Sequence, residues 1–172
     1  MNVLRYIYSD LSRLEPNKTR FRHVVSTCLF DPGFKSVVIY RVQQHLTHSY
    51  PRLCLLISSF NLRLTGAQFC VGVEIASGLI VRHPSGIVLG GGVIIGENCI
   101  LAQGVTIGQK VIGATASGEY PILGSGIELG AHSTLIGGIR IGHNVTVGAM
   151  TLVNKDVREE STVVGIPFRY AE

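Results

Sequence analysis

The sequence predicts a mainly β protein, a parallel β-helix of hexapeptide repeats with a small N-terminal α-helical region, and three observations carry that prediction. Glycine is abundant, at 21 of 172 residues, against roughly 7% in an average protein. Apolar residues recur with a period of six from Val71 onward, with glycine following them. Before that point the apolar spacing is three to four residues, which is helical.

Residues 1–63 divide into three or four short helices. Val3, Leu4, Ile7, Leu11 and Leu14 form one apolar stripe, and Val37, Val38, Tyr40, Val42 and Leu46 another; Pro16, Asp31-Pro32-Gly33 and Pro51 punctuate them.

Residues 64–172 form the repeat domain. Counting from Val71, the first position of each hexad reads Val71, Ser77, His83, Leu89, Ile95, Leu101, Ile107 and, after a break, Leu123, Leu129, Leu135, Ile141, Val147, Val153. Eleven of these thirteen are Ile, Leu or Val, and nine of the thirteen following positions are glycine. The fifth position, Ile75 through Val157, is apolar or small throughout. Each hexad therefore reads as one short strand and one turn, its first and fifth residues inward, and three hexads close one triangular coil. Sixteen residues separate Ile107 from Leu123, not a multiple of six, so residues 109–121 are expected to leave the prism as an excursion loop, with a C-terminal tail closing the chain.

Composition narrows the function. With 46% hydrophobic and 15% charged residues the chain is globular. Its net charge of +4 is concentrated in the N-terminal third, which argues against nucleic acid and fits a phosphorylated small molecule better. Cys28, Cys54, Cys70 and Cys99 lack CxxC spacing and read as buried reduced thiols, with no metal site indicated. No apolar run spans a bilayer and no signal-peptide core precedes Arg5, so a cytoplasmic protein without an integral membrane segment is expected.

His83-Pro84-Ser85-Gly86-Ile87-Val88-Leu89-Gly90 and Leu101-Ala102-Gln103-Gly104-Val105-Thr106-Ile107-Gly108 resemble the two central motifs of the hexapeptide-repeat acyltransferases. The nearest branch is that of the serine acetyltransferases and their shorter relatives that acetylate polysaccharide sugars. Tyr40-Arg41-Val42, Gly148 to Val153, and Val164-Gly165-Ile166-Pro167 resemble further signatures of that branch, so the likeness covers about residues 31–170. It implies a left-handed coil, a homotrimer with sites between subunits, and direct transfer of acetyl from acetyl-CoA to a hydroxyl, with His83 as general base. An imidazole suits that step because its unperturbed pKa of about 6.5 leaves it able to accept a proton at neutral pH. His83 also stands out from the repeat alone, occupying an aliphatic slot, and the backbone there must turn outward if the ring is to meet a substrate.

Departures from the branch set the remaining expectations. The carboxylate that orients the histidine is replaced by Gln68, which can accept a hydrogen bond but cannot stabilise an imidazolium by charge; Glu74 is a conceivable substitute. The substrate-loop Arg-His-Pro is here Glu119-Tyr120-Pro121, and Arg82 stands where an aspartate binds the amino group. Reading these as a loss of amino-acid recognition points to a sugar or polysaccharide precursor as acceptor, with serine as the alternative. Ala131, Ala149 and Gly108 match small residues along the pantetheine arm, and Lys110, Lys155 and Arg169 are candidate phosphate partners. A non-catalytic scaffold, and a zinc hydratase using His83, His132 and His143, are the readings from other classes.

Overall fold

The computed structural model describes residues 3–17, 20–110 and 119–170. Four helices lead: α1 (Val3–Leu14), α2 (Phe21–Phe30), α3 (Pro32–Leu46) and α4 (Pro51–Thr65). Their boundaries follow local chemistry. Asp31 caps α3 by accepting from Phe34 N at 2.8 Å, Pro32 and Pro51 occupy first turns, and Gly66, at φ +82°, ends α4 in the left-handed conformation.

Among the described residues fifteen short strands follow, wound as a left-handed β-helix. Face one stacks β1 (Gln68–Phe69), β4 (Val88–Leu89), β7 (Thr106–Gly108), β10 (Thr134–Ile136) and β13 (Leu152–Val153). Face two stacks β2 (Glu74–Ile75), β5 (Ile94–Ile95), β8 (Ile122–Leu123) and β11 (Arg140–Ile141). Face three stacks β3 (Ile80–Val81), β6 (Ile100–Leu101), β9 (Glu128–Leu129), β12 (Thr146–Val147) and β14 (Thr162–Val164), with β15 (Arg169–Tyr170) closing antiparallel on β14. All other pairings are parallel, and inward aliphatics such as Leu89, Ile107, Leu135 and Val153 form one continuous buried column.

One register differs from the sequence reading. Val71 and Ser77 are half-buried and His83 is exposed; the inward residues of the first coil are Phe69, Ile75 and Val81. The two phases are reconciled at the corner of residues 82–86, five residues long where the coil above turns in three (102–104). His83 therefore never occupied an inward slot, and no local rotation is needed to expose it. Of the predicted excursion at 109–121, residues 111–118 lie outside the described residues; β7 precedes it and β8 follows it.

The first coil has no coil beneath it, so its downward carbonyls need other donors. Helices α3 and α4 supply them. Tyr40 donates to Val73 O, Gln43 and Ser58 to Phe69 O, and Gln44 to Ile75 O. Burial pushes the Tyr40 phenol far up, so it stays a donor. Arg41, fully buried, pairs bidentately with Asp10 of α1 at 2.8 and 3.0 Å and donates to Ile75 O and Ala76 O. Asp10 in turn accepts from Leu79 N.

The start of α3 lies against β3 so closely that a Cβ on Gly33 would overlap the backbone oxygen of Val81. Gly33→Ala is therefore expected to cost about 1–3 kcal/mol, read as a lowered thermal midpoint, because neither backbone can yield cheaply.

Candidate active site

His83 sits on the edge where face three turns into face one. The five-residue corner is tied on all sides: Arg82 N donates to Leu101 O, Gly104 N to Ser85 O, and Gly86 N to Gly66 O, at 2.7, 2.9 and 2.9 Å. Pro84 is buried, while Arg82 and His83 are exposed. His83 has φ +55°, and it is unlike the five other non-glycine residues with positive φ among the described residues. Those five, Asn98, His132, Asn144, Met150 and Glu160, all end regular three-residue corners, whereas His83 lies within the enlarged one. His83 is thus an exposed imidazole on a corner whose backbone is held by hydrogen bonds to the coil above and to Gly66.

The same edge continues upward through the alanines. Above Ser85 come Gln103, then Ala131, then Ala149, linked by His132 N to Gln103 O and Met150 N to Ala131 O, both 2.8 Å. With coils about 4.8 Å apart, Ala131 and Ala149 lie roughly 10 and 14 Å above the His83 corner. The ring of His132 lies over Gly104, where any side chain at 104 would strike it. The sequence reading gave His132 no place on this edge; its spacing of 28 residues from Gly104 crosses the excursion loop and hides the stacking.

Gln68 stands on the coil below this corner, and the remaining named residues stand elsewhere. Gln68, half-buried in β1, pairs with Val88, and among the described residues no hydrogen bond joins it to His83. Glu74 is exposed on face two, where it lines a cavity of about 510 Å³ with Tyr6, Gln44, His45 and His48, away from the His83 corner. Gly108, Lys110, Glu119, Tyr120 and Lys155 gather on the opposite edge of face one. A Cβ at Gly108 would meet nothing within 4 Å, and the Tyr120 ring rests on Gly90 and Gly92. The Lys155 ammonium lies 5.0 Å over the Phe168 ring, and Arg169 is exposed on β15 at the far end of face three. Face one itself, between the two edges, carries Gln68, Val88, Thr106, Thr134 and Leu152 outward, without a charge.

The histidines considered for zinc are not gathered by one chain: His143 is on the edge between faces two and three, its Nδ1 accepting from Ser125 N at 3.1 Å. Cys54 and Cys99 are buried as expected, whereas Cys28 and Cys70 are only half-buried; burial raises the thiols of Cys28, Cys70 and Cys99 above their ordinary value.

No family model matches the chain. A serine acetyltransferase of Synechococcus elongatus is 35% identical over 149 residues, covering 86% of this chain and 60% of the relative. One from Buchnera aphidicola is 26% identical over 168 residues, covering 97% and 64%. Among solved structures, the serine acetyltransferase of Neisseria gonorrhoeae has a TM-score of 0.88 at 25% identity, covering 99% of this chain and 65% of that one. The soybean serine acetyltransferase complexed with serine has a TM-score of 0.86 at 28% identity, covering 98% and 69%. The chain thus spans 60–64% of the length of these two curated relatives.

These relatives overturn the sugar or polysaccharide acceptor expected from the sequence, since they are named for serine. The physical reason lies in the two charge changes. The expectation rested on reading Arg82 and Glu119 one at a time as losses of amino-acid recognition, yet Arg82 is a cation and Glu119 an anion, so the chain carries one charge of each sign at these two positions. That is the complement of a zwitterion, and a neutral polyol requires neither charge. Tyr120, read as an acceptor contact, has a packing reason of its own in Gly90 and Gly92.

Proposed function

Since the chain belongs to the serine acetyltransferase-like branch of the hexapeptide-repeat acyltransferases, we propose that it transfers acetyl from acetyl-CoA to the hydroxyl of serine, with His83 as general base. The single observation that carries this reading is an exposed imidazole, fixed in a left-handed conformation on the one enlarged corner of its edge, below the column of Ala131 and Ala149. The imidazole takes the hydroxyl proton as the oxygen attacks the thioester carbonyl carbon. The C–S bond then breaks, and the departing thiolate recovers the proton from the imidazolium.

Acetyl-CoA fits the edge chemically. Small side chains at Ala131 and Ala149, with open space at Gly108, let a linear arm approach the backbone, and Lys110, Lys155 and Arg169 are the cations offered to phosphates. One chain places the His83 and Ala131 edge across face one from the edge of Gly108, Glu119 and Tyr120. A homotrimer brings one edge of each kind together at every seam, and the uncharged outward row of face one suits such packing. In that groove Arg82 takes the serine carboxylate and Glu119 the ammonium. Gln68 is the orienting group offered to His83 once a substrate closes the geometry.

The charge assignment is tested by Arg82→Ala. The KM for serine is expected to rise by roughly 10- to 100-fold with acetyl-CoA affinity unchanged, as loss of one charge-assisted contact implies. An unchanged KM removes Arg82 from the acceptor site. A wild type that releases no thiol with any acceptor supports the scaffold instead.

A further inference from the structure

We propose that the helical region docks on the surface of an anionic lipid membrane through the outward faces of α2 and α4 and the groove between α1 and α2. Charge is divided unequally along the chain: residues 1–66 hold nine Lys or Arg and three Asp or Glu, a formal +6, and residues 67–172 hold six and eight, a formal −2. All three acids of the helical part are already engaged. Asp10 is buried against Arg41, Asp31 caps α3, and Glu15 accepts from Thr27. Arg5, Arg20, Arg22, Arg52 and Arg63 are exposed, so the outward charge of this layer is cationic among its described residues.

Apolar exposure is divided the same way. Among the described residues, thirteen of eighteen exposed large hydrophobic side chains belong to the helical region. On α2, Phe21, Val25 and Leu29 recur at four-residue spacing, at 65, 45 and 65% exposure, with Arg22 beside them. On α4, Leu53, Leu56, Phe60 and Leu64 form a second stripe flanked by Arg52 and Arg63. Between α1 and α2 an apolar groove of about 350 Å³ is lined by Leu4, Ile7, Phe21, Val25, Leu29 and Val38. Every residue lining the groove belongs to α1, α2 or α3 and none to the prism.

Apolar stripes bordered by arginine suit a headgroup boundary, where rings and aliphatics enter the acyl region and guanidinium groups meet lipid phosphates. Charge decides between this occupant and a second copy. Two such faces brought together would oppose cation to cation, whereas an anionic bilayer neutralises them. Among the described residues no helix is long and apolar enough to cross a membrane, so the association is peripheral.

The test is co-sedimentation of the purified full chain with vesicles of phosphatidylcholine alone and of phosphatidylcholine with phosphatidylglycerol, alongside its mass in solution. Binding is expected only to the anionic vesicles and is weakened by salt. Arg20→Glu with Arg22→Glu should reduce it about twentyfold or more, and Phe21→Ser with Leu29→Ser at least roughly tenfold. These side chains are exposed, so the fold should survive both changes. No vesicle binding, equal binding to both compositions, or variants that bind as wild type overturns the proposal. So does an assembly that the serine variants split into smaller units without any vesicle binding, which assigns the face to copies of this chain.

Discussion

Replacing His83 with alanine is expected to lower serine-dependent thiol release from acetyl-CoA by about 10²- to 10⁴-fold, the range that loss of a general base produces. The corner is held by backbone bonds of Arg82, Ser85 and Gly86 and by buried Pro84, none of which involves the imidazole. The variant should therefore keep its thermal midpoint and its affinity for CoA. That combination separates loss of chemistry from loss of structure, and a small rate effect would transfer the base role to another group. His132, the other imidazole of that edge, is the control: its ring covers Gly104 one coil above the His83 corner.

The second large effect concerns stability. Arg41→Ala leaves Asp10 charged, buried and without its partner, and removes donors from Ile75 O and Ala76 O. Breaking a buried pair on one side costs about 3–5 kcal/mol, or a fall of roughly 6–20 °C in thermal midpoint for a chain of this size. Asp10→Asn should cost a similar amount, because it strands the guanidinium instead. In a double-mutant cycle the two losses should be far from additive, as expected for partners in one network. Additive losses would show that the pair does not act as the clamp between helices and first coil.

Much of this architecture is legible in the residues, and the one slip has a physical origin. Period-six columns of aliphatics with glycine beside them leave little choice but a triangular coil, and from Leu89 onward the inward residues fall where the repeat places them. Below Leu89 two apolar columns compete. Phe69, Ile75, Val81 and Val71, Ser77, His83 share the same period, and the second joins Leu89 without a gap. Only the burial of Phe69 and Val81 reveals that two extra residues have been spent on a corner. Chemistry supplies the signal that was available: serine and histidine are poor fillers for an apolar interior, and their presence in successive slots marks the wrong phase. Tyr40-Arg41 was recognisable as a motif, but its work is not visible in sequence, because Arg41 meets Asp10 thirty-one residues away and carbonyls thirty-four and thirty-five residues ahead.

The acceptor is the feature least legible in the sequence. Arg82 and Glu119, taken singly, argue against an amino acid; under the proposed assignment the two together supply a cation and an anion. Complementarity is a property of the set of charges facing a ligand and not of any one position.

Acetyl transfer to serine is measured most directly by mass-spectrometric product analysis after incubating the purified chain with acetyl-CoA and serine. Formation of O-acetylserine with one equivalent of free CoA thiol is the predicted result. Intact serine and intact thioester, from a protein whose fold and assembly are verified, would contradict it.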